Sequence, residues 1–184
     1  MINSKIAALI FTLAVGIGVS GCQPTVYLMP TPQALQNGES DPFALHEYQE
    51  LSNELSVAYA TNRLSYGAPD SKAYITLYDD NLRLGAAKLS IGGEGLEWQD
   101  LHRASTTAER ETSFPLEMVS TTEMAIASTE AETALSQEAK SFFNEVNEVL
   151  ATSLDKNLTL FIHGANNNFY RANALAAQYR HFTG

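Results

Sequence analysis

Leu158-Thr159-Leu160-Phe161-Ile162 is an apolar run that ends in His163-Gly164-Ala165-Asn166. A strand that breaks into His-Gly, then a polar loop, then a helix, can aim backbone N–H groups at one point. Acyl transfer needs such donors for the oxygen that becomes negative in its transition state. Gly164 permits the sharp turn. Ala165 offers its N–H, His163 braces the loop by hydrogen bonding rather than by moving a proton, and Asn166 continues the loop. No nucleophile accompanies this segment: Gly-x-Ser-x-Gly occurs nowhere in the 184 residues. His46, His102 and His181 read as surface or packing histidines. No paired His or Cys cluster has metal-ligand spacing, so no metal and no other cofactor is expected.

The other reactive residue is Cys22, the single cysteine, which excludes an intramolecular disulfide. It follows Lys5 and an apolar run from Ile6 to Val19, broken only by Thr12 and two glycines. That run is shorter than the roughly 20 residues a bilayer span needs and matches the h-region of a secretory signal peptide. Val19-Ser20-Gly21-Cys22 resembles a bacterial lipobox. The resemblance implies cleavage after Gly21 and lipid on Cys22. Gln23 in the next position implies an outer-membrane protein facing the periplasm. The expected partner is therefore the membrane, reached through that lipid.

Cleavage removes one of 11 basic residues, Lys5, and none of the 21 acidic ones, so the net charge moves from −10 to −11. A chain this acidic has no basic patch with which to meet nucleic acid. Nor does it adhere electrostatically to anionic lipid. Three parts are expected: a signal peptide over 1–21, a flexible lipid-anchored linker over 22–54 that holds Pro24, Pro30, Pro32 and Pro42, and a folded domain over 55–184.

Within that domain, Leu55, Val57 and Tyr59 alternate as in a strand. Residues 74–78 and 82–91 read as a hairpin closed by Asp79-Asp80-Asn81. Residues 92–113 read as irregular, and 114–127 as one or two strands. The clearest helix spans 129–154, with a capping box at Thr129 and Glu132 and an apolar stripe of Leu135, Ala139, Phe142, Val146, Val149 and Leu150. Leu158 to Ile162 suits a strand buried on both faces, as in a parallel sheet. A last helix over 169–182 presents Phe169, Ala172, Ala176 and Tyr179.

Val57-Ala58-Tyr59-Ala60-Thr61-Asn62-Arg63 and Phe161-Ile162-His163-Gly164-Ala165-Asn166-Asn167-Asn168-Phe169 resemble two motifs of a bacterial α/β-hydrolase family of unknown function. Leu84 to Ile91 resembles the strand between them. Ala165 departs from the aromatic residue the family often has there. The resemblance covers roughly residues 55–184. It implies an α/β fold, namely the N-terminal part of an α/β-hydrolase: antiparallel first strands, then a His-Gly strand and helix, incomplete at the C-terminal side. It also implies a serine hydrolase of an ester or similar acyl substrate. In that family's order the nucleophile, the acid and the catalytic histidine come later, so no catalytic residue is expected within this chain. The competing reading is a non-catalytic envelope lipoprotein that uses the same domain for binding.

Overall fold

The computed structural model describes residues 24–36, 41, 43–44, 52–93, 95–108, 110–130, 133–153 and 156–183. The expected signal peptide, Cys22 and His46 lie outside the described residues. Eight elements follow one another: β1 (Val26–Tyr27), α1 (Gln33–Gln36), β2 (Glu54–Tyr66), β3 (Ala73–Ile91), α2 (Trp98–Thr106), β4 (Pro115–Ser128), α3 (Gln137–Thr152) and α4 (Phe169–Thr183). The strands form one sheet in the order β1-β4-β3-β2, and every ladder in it is antiparallel. The fold is thus a mixed α and β one built on an antiparallel sheet.

The expected hairpin at Asp79-Asp80-Asn81 is instead a bulge inside one long strand. β2 and β3 pair in steady register from Glu54↔Ser90 to Thr61↔Arg83, then resume at Arg63↔Tyr78. Residues 79–82 have no partner on β2. The Asp79 carboxylate accepts from the Asn81 N–H at 3.3 Å, which is the local turn chemistry the sequence advertises. Here that chemistry bends the strand without reversing it. The real reversal lies at residues 67–72, where Gly67 takes φ +94°. The arm beyond the bulge folds back, and its tip bonds to β4 through Lys72 N–H to the Thr121 carbonyl at 3.0 Å.

The alternation of β3 divides the core. Ala87, Leu89 and Ile91 join Leu116, Trp98, Leu101, Phe169, Ala174 and Ala177 on one face. Leu82 and Leu84 turn the other way, toward Ala125, Ala127, Ala139, Phe142 and Val146 beneath α3. Gly85 sits where Tyr59 crosses the sheet. A Cβ there would lie 2.1 Å from the Thr122 carbonyl oxygen and 2.4 Å from the Tyr59 hydroxyl, so no other residue fits.

Four further expectations are corrected. Residues 98–106 form α2, because Trp98, Leu101 and Ser105 make a buried helical stripe whose third member is a serine, not a hydrophobe. The long helix starts at Gln137, capped by Ser136, whose hydroxyl accepts from the Ala139 N–H at 3.1 Å. The Thr129 hydroxyl donates to the Asp80 carbonyl at 2.6 Å, and Glu132, the other half of the expected capping box, lies outside the described residues. Of the α3 stripe, Ala139 and Phe142 are buried while Leu135 and Val149 are exposed. On α4, Phe169, Asn173, Ala174, Ala177, Gln178, His181 and Phe182 are the buried residues, and Tyr179 points outward.

Part of the segment expected as linker is packed. Val26, Leu28, Leu35 and Phe43 belong to the core, and β1 extends the sheet beside β4. Among the described residues, no helix is long and apolar enough to cross a membrane.

Candidate functional site

Residues 158–162 lead into the candidate loop, but they are not a sheet strand. No backbone–backbone hydrogen bond among the described residues reaches them. Leu158, Leu160 and Ile162 are 71%, 82% and 81% exposed. The expected burial on both faces is absent because no strand lies alongside. Their apolar character and their open ladder groups remain unsatisfied in this arrangement.

The loop itself is tightly built. The His163 ring Nδ1 lies 2.9 Å from the Gly164 carbonyl oxygen, a bond that places a proton on Nδ1. Asn166 adopts φ +64°, a conformation that Asn tolerates better than most residues. Asn168 then caps α4: its Oδ1 accepts from the Arg171 N–H at 2.7 Å, and its carbonyl from the Ala172 N–H at 3.0 Å. The Ala165 N–H has no partner among the described residues, and Ala165 is exposed. His163, Gly164, Ala165 and Asn166 thus form one surface loop that leads into the N-terminus of a helix, where backbone donors and the helix dipole favour negative charge.

What holds this loop is the other motif. The Arg63 Nη2 donates to the Asn167 carbonyl at 2.6 Å across 104 residues of sequence. Its Nη1 is buried without a partner among the described residues. Tyr59 meets Phe169 edge to face, with ring centroids 4.9 Å apart at 89°. Tyr74 packs on the same ring at 4.4 Å. The sequence marks Arg63, Tyr59, Asn167 and Phe169 as motif residues but gives no role to any of them. Their positions in the sequence, about a hundred residues apart, do not show that the two segments touch.

Beneath the Tyr59–Phe169 contact lies a polar chain. The Tyr59 and Tyr74 hydroxyls are 2.8 Å apart. The Thr122 carbonyl lies 3.1 Å from the Tyr59 hydroxyl and Glu123 3.0 Å from that of Tyr74, so the two hydroxyl hydrogens are shared among three contacts. Arg83 joins Glu123 at 3.2 Å to Asp79. Burial pushes the Tyr59 phenol up to about 12, against a smaller opposing effect of its bond to Tyr74. Burial, and then the bond to Tyr59, push Tyr74 up as well. Both phenols therefore stay protonated, and the chain is a brace for the sheet, not a proton donor near neutral pH.

A second polar pair lies elsewhere. The Ser105 hydroxyl and His181 Nε2 are 2.7 Å apart, and both residues are buried. Phe43, Trp98 and Phe182 surround the imidazole at 5.1, 6.2 and 4.9 Å. Burial pushes His181 down to about 4, with the electrostatic influence of Arg110 and then of the nearby His102 adding to it. A serine and a histidine in hydrogen-bond reach invite a catalytic reading. No carboxylate is bonded to the ring among the described residues, and Ser105 is sealed from solvent.

An open groove of about 300 Å³ is lined by Thr25, Leu116, Glu117, Met118 and Tyr170. It includes none of residues 163–168. Among the described residues no three His, Cys, Asp or Glu side chains are grouped to hold a metal ion. Compared with protein-family models, with curated proteins and with solved structures, the chain gives no match.

Proposed function

We propose that residues 158–183 are the oxyanion-side strand, loop and helix of a lipid-anchored serine hydrolase of the α/β type, held in the bacterial envelope by lipid on Cys22. The substrate class is an ester or a similar acyl compound. The observation that supports this reading is the meeting of the two motif segments. Arg63 holds the Asn167 carbonyl, and Tyr59 holds Phe169, so the loop between His163 and Asn168 is fixed from below while its outer side stays open. In this reading Ala165 donates its N–H to the developing oxyanion, and His163 keeps the loop in shape. The exposed run at 158–162 is, in this reading, the strand that the hydrolase fold pairs on both sides, and the nucleophile comes on a neighbouring strand.

The test uses the lipoprotein purified from its own cells and a fluorophosphonate probe. A labelled serine outside residues 1–184 is expected. Ala165→Pro removes the N–H without a large side chain, and loss of one such donor costs about 10²–10³ in rate. Absence of any labelled serine, or labelling at an unchanged rate in Ala165→Pro, refutes the reading. Anchoring is tested separately: Cys22→Ala abolishes incorporation of radiolabelled fatty acid, and equal labelling of both forms refutes it.

A further inference from the structure

We propose that the folded domain rests directly on the bilayer, with Tyr27 of β1 and Met29 just beyond it against the lipid. The inference depends on lipid at Cys22. Val26 already belongs to β1, four residues after that cysteine. However those four residues are arranged, they span at most about 14 Å. The anchor therefore has no spacer.

The segment it leads into is pinned. Val26 pairs with Leu116 and Tyr27 with Pro115. The Val26 N–H donates to the Tyr170 hydroxyl at 3.0 Å, the Leu28 N–H to the Phe114 carbonyl at 2.8 Å, and the Met29 N–H to Gln178 Oε1 at 2.6 Å. The Arg110 guanidinium donates to the Leu28 and Met29 carbonyls. These bonds reach β4 and α4, so the strap cannot swing away from the domain without breaking them.

The strap alternates. Val26 and Leu28 face the core, while Tyr27 and Met29 are 53% and 43% exposed. An aromatic with a polar tip and a flexible apolar side chain thus stand side by side, next to the point of attachment. Tyrosine is suited to the boundary between water and acyl chains. A short tether also keeps this surface at high effective concentration next to the bilayer, so a weak apolar contact suffices. Charge gives no help: the mature chain carries a net −11. The partner surface is therefore lipid that need not be anionic, met through apolar contact.

Residues 22–184 are coupled through the Cys22 thiol to a maleimide-headgroup lipid in phosphatidylcholine vesicles that also carry brominated acyl chains. Bromine quenches nearby tryptophan. Emission is compared among the unaltered chain, whose Trp98 serves as background, Tyr27→Trp, and Ile126→Trp. Ile126 is also exposed but lies ten residues along β4 from Leu116, about 30 Å away. The added emission is expected to be mostly lost in Tyr27→Trp and retained in Ile126→Trp. Insertion of about 20 Gly and Ser residues after Gln23 is expected to restore it, because such a linker is a flexible coil. Unquenched emission in Tyr27→Trp, equal quenching at both sites, or no effect of the spacer overturns the proposal. Met29→Trp supplies a second probe should Tyr27→Trp fail to fold. Chemical coupling makes the result independent of lipidation in the cell, whose failure shows instead in the fatty-acid labelling.

Discussion

Acidification should weaken this fold through His181, and the size of the effect follows from its surroundings. The ring is buried among Phe43, Trp98 and Phe182, bonded to Ser105, and pushed down from 6.5 to about 4. Between those two values the unfolded chain binds a proton that the folded chain refuses. Stability contributed by the neutral ring is complete above about 6.5, declines as pH falls, and is fully lost near 4. The slope is at most about 1.4 kcal/mol per pH unit, and the whole window amounts to about 3 kcal/mol. That is a large share of the 5–15 kcal/mol typical of a domain. The assay is urea unfolding followed by the emission of Trp98, at steps from about pH 8 to about pH 4.5. The control is the double variant Ser105→Ala/His181→Phe, which removes the titrating ring and leaves no orphaned hydroxyl. Its absolute stability is not the readout; its pH slope is. A double variant that loses stability with the same slope between pH 6.5 and 4.5 would refute the argument, and the titration would then belong to other groups. Asp79 enters only lower: Arg83 holds its carboxyl below the usual range, so its contribution fades beneath about pH 4.

Ser136→Ala should cost about 1 kcal/mol by removing the cap on α3, read as a shift of the urea midpoint. Gly85→Ala should cost more than about 3 kcal/mol or prevent folding, because the new methyl collides with the Thr122 carbonyl and the Tyr59 ring; near-native thermal stability would contradict the packing described. In hydrogen exchange on soluble residues 23–184, the Leu160 to Ile162 amides should exchange close to unprotected rates while those of Ala87 and Leu89 are the slowest; equal protection would show that residues 158–162 have found a partner. The same protein should neither hydrolyse short nitrophenyl esters nor label with a fluorophosphonate, since an oxyanion loop without a nucleophile has little catalysis left. Stoichiometric labelling of a serine in it, Ser105 above all, would move the centre away from residues 163–168.

The sequence was most legible where a signal is local and repeats. Alternation in Leu55, Val57 and Tyr59, the β-branched run at 74–78 and the helix after Asn168 all correspond to elements in place. It misled where a local signal has two physical outcomes. Asp79-Asp80-Asn81 has the side chains of a turn, and those side chains do bond their own backbone. Whether a strand reverses or only bulges there depends on what lies beyond. Here β4 picks up β3 from Asn81 onward, so the strand continues past the bulge. Thr129 offers a capping hydroxyl, yet the helix begins eight residues later, at Gln137, where Ser136 caps it. Helix α2 was hidden because Ser105 occupies a core position, and a serine is admitted there only because His181 bonds it. Prolines at 24, 30 and 32 argued for a loose linker, but four apolar residues among and after them fill a gap beside α2 and α4. Composition averages over such residues and cannot see a gap.

The candidate site divides along the same line. The loop from His163 to Asn168 was readable because what shapes it is local: an Asn that accepts positive φ and an Asn that caps the helix. Gly164 itself is not needed for the turn, since its φ is not positive and a Cβ there would meet nothing within 4 Å. What fixes the loop in space is not local. Arg63 reaches Asn167 only because β2 crosses the sheet beside the start of α4, and Tyr59 reaches Phe169 only because Gly85 leaves room for its ring. Neither relation has any trace in spacing. Tyr59 and Arg63 act on the ring and the backbone that orient the loop. A guanidinium suits such a brace, since it carries several donors in one rigid fork. Nη2 is used on the Asn167 carbonyl, while Nη1 stays buried without a partner among the described residues. A buried, unpaired donor costs stability. Among the described residues the hold of Arg63 on the loop therefore rests on Nη2 alone.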